Sequence, residues 1–198
     1  HGGGRLATTM AERLGVAQQI IDGRRVTDKE TLDIVTMVYG GLVNKQLVAS
    51  LQNMGINAIG LTGADGGWMR AVKRPVKNGI DYGFVGDITE VRGDVLRMLL
   101  DEGMTPVIAP ITFCQEGVLL NTNADTIASE TAISLAPDVQ LTFCFEKAGV
   151  LRDADDESSL IPSITPESYT QLKADGIVSG GMIPKIDNAF AAIEHGVQ

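Results

Sequence analysis

The sequence predicts an α/β fold with a mostly parallel sheet covered by helices on both faces. Two observations carry this reading. Helical periodicity alternates with short apolar runs along most of the chain, and each run follows a helix after a turn residue and reads as a buried strand. In such folds ligands gather at the carboxyl ends of the strands, so the turns that follow them are where chemistry is sought.

Taken in order, helices are expected over Leu6–Leu14, Asp28–Met54 with a possible break at Gly40-Gly41, Asp94–Glu102, Asp125–Leu135, Thr165–Asp175 and Lys185–Glu194. Buried strands are expected over Ala58–Leu61, Thr105–Ala109 and Val139–Phe145. Met69–Lys77 and Ile80–Val91 break the alternation and predict an inserted β-hairpin, because Asn78-Gly79 is a strong two-residue turn signal. Asp153–Ser159 is acidic and turn-rich, which fits a solvated loop better than a metal site. No internal repeat or low-complexity linker interrupts the chain.

With 198 residues, 44% of them hydrophobic, the chain can bury a sizeable core as one domain, although two lobes are compatible with this size. The balance of 16 basic against 25 acidic residues, net −9, argues against a nucleic-acid surface and favours small-molecule partners. Cys114 and Cys144 lack metal-type spacing, and no signal peptide is evident, so a reduced, cytoplasmic setting is the default expectation. No apolar run reaches about 18 residues, so no membrane-crossing helix is expected. The chain opens directly on a glycine turn and closes on Glu194-His195-Gly196-Val197-Gln198, a helix end, a glycine cap and the first residues of a strand. It is therefore expected to be a fragment of a larger protein.

Two glycine-rich turns open helices: His1-Gly2-Gly3-Gly4, and Ser179-Gly180-Gly181-Met182-Ile183-Pro184-Lys185. The second puts Pro184 at the first helical position and Lys185 in the first turn, where the helix macrodipole disfavours a cation unless an anion lies opposite. Phosphate suits both places, because free backbone N–H groups face it and no Cβ obstructs it. Two such turns in one small domain suggest a polyphosphate substrate. Taken alone, glycines in a strand-to-helix turn serve close packing equally well. Neither a Gly-x-Gly-x-x-Gly fingerprint nor a Gly-Lys-Ser/Thr P-loop occurs.

Asn121-Thr122-Asn123-Ala124-Asp125 precedes a helix, and one of its polar side chains would suffice as a cap, so the surplus points to a ligand as readily as to a cap. Arg24-Arg25 stands beside a helix start capped by Thr27 or Asp28; such arginines are either solvated or form a fork for a carboxylate. His195 reads as a partner for its helix's C-terminal dipole.

Taken together, His1-Gly2-Gly3-Gly4, Gly23-Arg24-Arg25-Val26-Thr27-Asp28, Val43-Asn44-Lys45, Leu61-Thr62-Gly63-Ala64-Asp65-Gly66, Asn121-Thr122-Asn123-Ala124-Asp125 and Ser179–Lys185 resemble the N-acetylglutamate kinases, a branch of the amino-acid kinase family. The resemblance runs in order over essentially the whole chain. It implies a three-layer αβα sandwich with a mainly parallel sheet and a single domain over 1–198, with acylglutamate bound by roughly 1–120 and nucleotide by roughly 121–198. It further implies transfer of the ATP γ-phosphoryl group, with Mg²⁺ bridging the phosphates, to the side-chain carboxylate of an N-acylated glutamate in arginine biosynthesis. The acyl cap keeps the α-amine from cyclising onto the activated side chain. A homodimer is implied, with no tightly bound cofactor and no protein metal site.

Carried over by motif, Gly2 and Gly3 would donate to the transferring phosphoryl group, Lys185 would neutralise charge on the ATP side, and Asp125 would orient the lysines. Arg25, Asn121 and Asn123 would hold the acylglutamate, while Gly180, Gly181 and Glu146 would lie on the nucleotide side.

Three departures qualify the resemblance. The family's first-strand Lys-x-Gly-Gly lysine does not occur, so this piece alone is expected to be inactive. Phe145-Glu146-Lys147-Ala148 stands where a Ser-Asp or Thr-Asp pair is usual. Arg5 and Arg24 replace a common proline and leucine, and as two added cations they raise N-succinylglutamate as a substrate beside N-acetylglutamate. A non-catalytic amino-acid sensor on the same fold is the alternative reading, against which Asp125 and Lys185 both count. A relative acting on aspartate, carbamate or a nucleotide is disfavoured by the Arg-Val-Thr-Asp and Asn-x-Asn-Ala-Asp motifs.

Overall fold

The computed structural model describes residues 1–21 and 24–198. Asp22 and Gly23, which open the expected arginine turn, lie outside the described residues. The elements are α1 (Gly4–Arg13), β1 (Gln19–Ile21), β2 (Arg24–Val26), α2 (Lys29–Val35), a π-helical segment (Thr36–Val43), α3 (Asn44–Asn53), β3 (Ala58–Leu61), β4 (Met69–Lys73), β5 (Gly86–Val91), α4 (Gly93–Asp101), β6 (Thr105–Ile108), β7 (Ile111–Phe113), β8 (Leu119–Asn121), α5 (Ala124–Leu135), α6 (Pro166–Ala174) and α7 (Met182–Glu194).

β3 and β6 pair in parallel, Ala58 opposite Thr105 through Leu61 opposite Ile108. β4 joins β7 in parallel at Arg70 and Phe113, while β5 and β8 flank that pair antiparallel. Helices cover both faces. Ala109 and Ile111 share a core with Ala7 and Ala11 of α1 and with Leu32, Ile34 and Val35 of α2. On the other face Leu61, Met69, Ile88 and Ile108 pack with Leu96 of α4 and Ile127 of α5. This is the α/β layering that the alternation predicts. A further cluster joins Tyr169 and Leu172 of α6 to Ile186 and Phe190 of α7.

The hairpin forms where expected, with Asn78 and Gly79 at φ 54 and 76, both left-handed as a type I′ turn requires. Its ladder is shorter than the expected arms: β4 stops at Lys73, two residues before Pro75, which has no N–H to donate, and β5 starts only at Gly86.

Four expectations are corrected. Gly40-Gly41 does not break its helix: the chain is helical from Lys29 to Asn53, and the glycines fall inside the π-helical segment, whose wider turn they accommodate. At 25 residues that helix is long and apolar enough, by length and composition, to cross a membrane, which the run-length criterion missed because charged and polar residues punctuate it. Its Leu32, Ile34, Val35, Val38 and Tyr39 are core residues, while Met37 and Leu42 are exposed. Val139–Phe145 forms no strand. The backbone partner of Val139 and Leu141 among the described residues is Gln198, which donates to Val139 O and accepts from Leu141 N, too little to make a ladder. Finally, α7 opens at Met182 with Gly181 as its N-cap, so Pro184 is its third residue rather than its first, and Lys185 is its fourth. The first four N–H groups of a helix have no partner within it, so proline is tolerated there too.

Candidate active site

The N-terminal ends of α5 and α7 meet. Asn123 caps α5, its Oδ1 accepting from Thr126 N at 2.9 Å, which leaves Asp125 as the second residue of the helix. From α7, Lys185 Nζ donates to Asp125 Oδ1 at 2.5 Å, and the two side chains are 25% and 18% exposed. The lysine is therefore not a solvated surface residue. The first-turn cation, electrostatically disfavoured in its own helix, is answered by a carboxylate favourably placed in the first turn of another. Phe143 lies against it, with Lys185 Nζ 5.7 Å from the ring centroid. Ser129 Oγ donates to Asn188 O at 2.9 Å and fixes the two helices against each other.

The opening glycine turn belongs to the same neighbourhood. His1 and Ala124 line one cavity of about 200 Å³ between β6 and α5. The His1 backbone nitrogen donates to Ile108 O at 3.1 Å, at the carboxyl end of β6. Gly3, the N-cap of α1, has φ 154 and ψ 10; a Cβ there would lie 2.9 Å from Tyr39 Cδ1 and 3.1 Å from Cε1. A Cβ on Gly2 would meet nothing within 4 Å, so the turn is open on that side.

Arg25 reaches the same helix end. Its guanidinium donates to Gly4 O at 3.0 Å, to Thr8 Oγ1 at 2.9 Å and to Gln18 Oε1. Burial raises the Tyr39 hydroxyl pKa, and the charge and hydrogen bond of Arg25 oppose that rise, so Tyr39 stands between the arginine and Gly3. Asn121, ending β8, donates from Nδ2 to Thr27 Oγ1 at 3.0 Å, and Asp28 is the cap of α2, accepting from Thr31 N at 2.8 Å. Asn121 thus shares the β2–α2 junction with Arg25.

Gly180, at φ 52, and Gly181 form the exposed turn before α7. Glu146 lies on the surface and accepts from Arg5 Nη2 at 2.8 Å. The structure therefore brings Asp125 and Lys185 into contact, sets the glycine turn beside them, and gathers Arg25 and Asn121 around the β2–α2 junction. Asn123 uses its side-chain oxygen as a cap. Tyr39 and the π-helical segment that carries it were missed in the sequence. The Gly-Gly pair is the available signal, and in the sequence it suggests a possible break instead.

Among the described residues no group of three or more His, Cys, Asp or Glu side chains is placed to hold a metal ion.

The sequence model of the amino acid kinase family matches residues 1–198. An acetylglutamate kinase from Phocaeicola vulgatus is 58% identical, the alignment covering 100% of this chain and 77% of that protein. One from Cytophaga hutchinsonii is 57% identical over 100% and 75%. Among solved structures, that of smu.665 from Streptococcus mutans UA159 superimposes with a TM-score of 0.88 at 29% identity, over 100% of this chain and 77% of that one.

Proposed function

The chain belongs to the amino acid kinase family, among the acetylglutamate kinases of arginine biosynthesis, and on that premise we propose that it transfers the γ-phosphoryl group of ATP to the side-chain carboxylate of N-acetylglutamate. The observation that carries the proposal is the Lys185–Asp125 contact, which joins the first turns of two helices beside the glycine turn.

In this reaction the bond from the γ-phosphorus to the bridging oxygen breaks, and its electron pair leaves with ADP. A new bond forms from a carboxylate oxygen to the phosphorus, giving an acyl phosphate. A glutamate side chain is already ionised near neutral pH, so no proton moves and no general base is needed. What must be overcome is repulsion between two anions, through charge neutralisation and in-line positioning.

Each residue then has a task. Gly2 and Gly3 offer N–H donors to the transferring group, approached from the open side of Gly2. Lys185 neutralises charge developing on the ATP side, and Asp125 holds it in place as a positioning carboxylate. Arg25, oriented by Gly4, Thr8, Gln18 and Tyr39, holds the α-carboxylate of the substrate through its charge and remaining donor capacity, and Asn121 Oδ1 accepts from its amide. Any contact from Asn123 falls to its amide nitrogen, since its oxygen caps α5. Gly180, Gly181 and Glu146 lie toward the nucleotide, so residues up to roughly 120, with Asn121 and Asn123 at the border, serve acylglutamate and the remainder serve ATP. Mg²⁺ would accompany ATP as its counter-ion and help neutralise the phosphates.

We propose acetyl rather than succinyl as the acyl group, because relatives 57–58% identical to this chain are named acetylglutamate kinases. A cytoplasmic homodimer completes the reading.

An ATP-dependent hydroxamate assay on the full-length protein with N-acetyl- and N-succinylglutamate tests this. Lys185→Ala is expected to lower turnover by about 10²–10³-fold, the scale of losing one charge-stabilising donor. Turnover within a few-fold of wild type would remove the role given to Lys185, and ligand binding without acyl phosphate would favour the amino-acid sensor.

A further inference from the structure

A second cation stands at the same site. Arg5 is the second residue of α1, directly after the glycines, and its Nη2 lies 2.8 Å from Glu146 Oε1, 141 residues further along the chain. Glu146 is three residues beyond Phe143, the ring against Lys185. The ion pair therefore spans the place where the glycine turn and the lysine converge.

Three features set this pair apart from a structural tie. Its side chains are 94% and 80% exposed, so water and salt screen it and little holds it closed. Among the described residues neither side chain makes another hydrogen bond, whereas Arg25 is anchored at three points. A polyphosphate offers a guanidinium more charge and better paired oxygens than one carboxylate does. An approaching nucleotide would attract Arg5 and repel Glu146.

Resting on the kinase reading above, we propose that Arg5 is a further catalytic residue of this chain: its guanidinium is held by Glu146 while the site is empty and passes to the phosphate oxygens of ATP when the nucleotide binds. Glu146 is then a competitor for Arg5 rather than a ligand of ATP. The exchange makes and breaks no covalent bond.

The two halves of the pair should respond in opposite directions. In the full-length protein, titration with ATP is expected to show affinity weakened about 10-fold to 100-fold by Arg5→Ala, partly restored by Arg5→Lys, and strengthened several-fold by Glu146→Gln. The KM for acylglutamate should stay unchanged in all three. Loss of the same size and direction in Arg5→Ala and Glu146→Gln would show a structural latch and overturn the proposal, as would an ATP affinity unmoved by Arg5→Ala. The titration needs no turnover. A wild type that binds ATP yet makes no acyl phosphate sinks the kinase reading while this comparison still decides the role of Arg5. Both side chains are on the surface, so unchanged circular dichroism is expected in every variant.

Discussion

Replacing Gly3 by alanine should damage the fold and the reaction together, for two separable reasons. The residue sits at φ 154, ψ 10, where an L side chain is strained by about 1–3 kcal/mol. Its new Cβ would stand 2.9 Å from Tyr39 Cδ1. The Tyr39 ring is 6% exposed and packed with α1 and α2, so it cannot swing aside as a flexible chain end would, and overpacking of this kind adds about 1–3 kcal/mol. The sum, about 2–6 kcal/mol, is a large share of a typical domain's stability. Urea unfolding of Gly3→Ala, Tyr39→Leu and the double variant separates the shares. The steric part should disappear on the Tyr39→Leu background, leaving a coupling of about 1–3 kcal/mol between the two positions. Additive losses, or a Gly3→Ala midpoint equal to wild type, would refute the view that Tyr39 buttresses the turn.

Two other perturbations bear on separate parts of the account. Asn123→Ala should cost about 1 kcal/mol in thermal or urea unfolding, as cap removal does, and leave the KM for acylglutamate within two-fold; a large KM rise without a stability change would make Asn123 a substrate ligand first. Tyr169 donates to Asp187 Oδ1 at 2.7 Å and to Ile183 O at 3.3 Å, and its pKa is raised by burial and then by Asp187. Because the folded protein holds that proton more tightly, the stability it gives is complete below the ordinary value of 10.0 and falls as pH rises above it. Tyr169→Phe should therefore lower stability by about 1–2 kcal/mol at pH 7 and flatten the alkaline fall measured by denaturant titration up to pH 11.

Local chemistry was the legible part of this molecule. The caps Asp28, Asn123 and Thr165, the last with a reciprocal bond to Ser168, fixed three helix starts. Asn78-Gly79 fixed the hairpin, and Gly196 at φ 87 followed the end of α7. What failed depended on partners distant in sequence. Val139–Phe145 has the composition of a buried strand, but composition cannot supply the neighbours a ladder needs. Gly40-Gly41 carries the same letters whether a helix breaks or widens, and only the folded backbone shows which occurs. The site divides in the same way. Lys185 was conspicuous because a cation in a first turn demands an anion, and Asp125 supplies one. The anchoring of Arg25 by Thr8 and Gln18, and the pairing of Arg5 with Glu146 across 141 residues, have no local signature.

The most direct measurement is a crystal structure of the full-length protein with N-acetylglutamate and a non-hydrolysable ATP analogue. The account predicts that the γ-phosphate lies within about 3 Å of both Lys185 Nζ and a backbone N–H of Gly2 or Gly3, in line with the substrate carboxylate. A γ-phosphate bound beyond hydrogen-bonding reach of either the lysine or the glycine turn would contradict it.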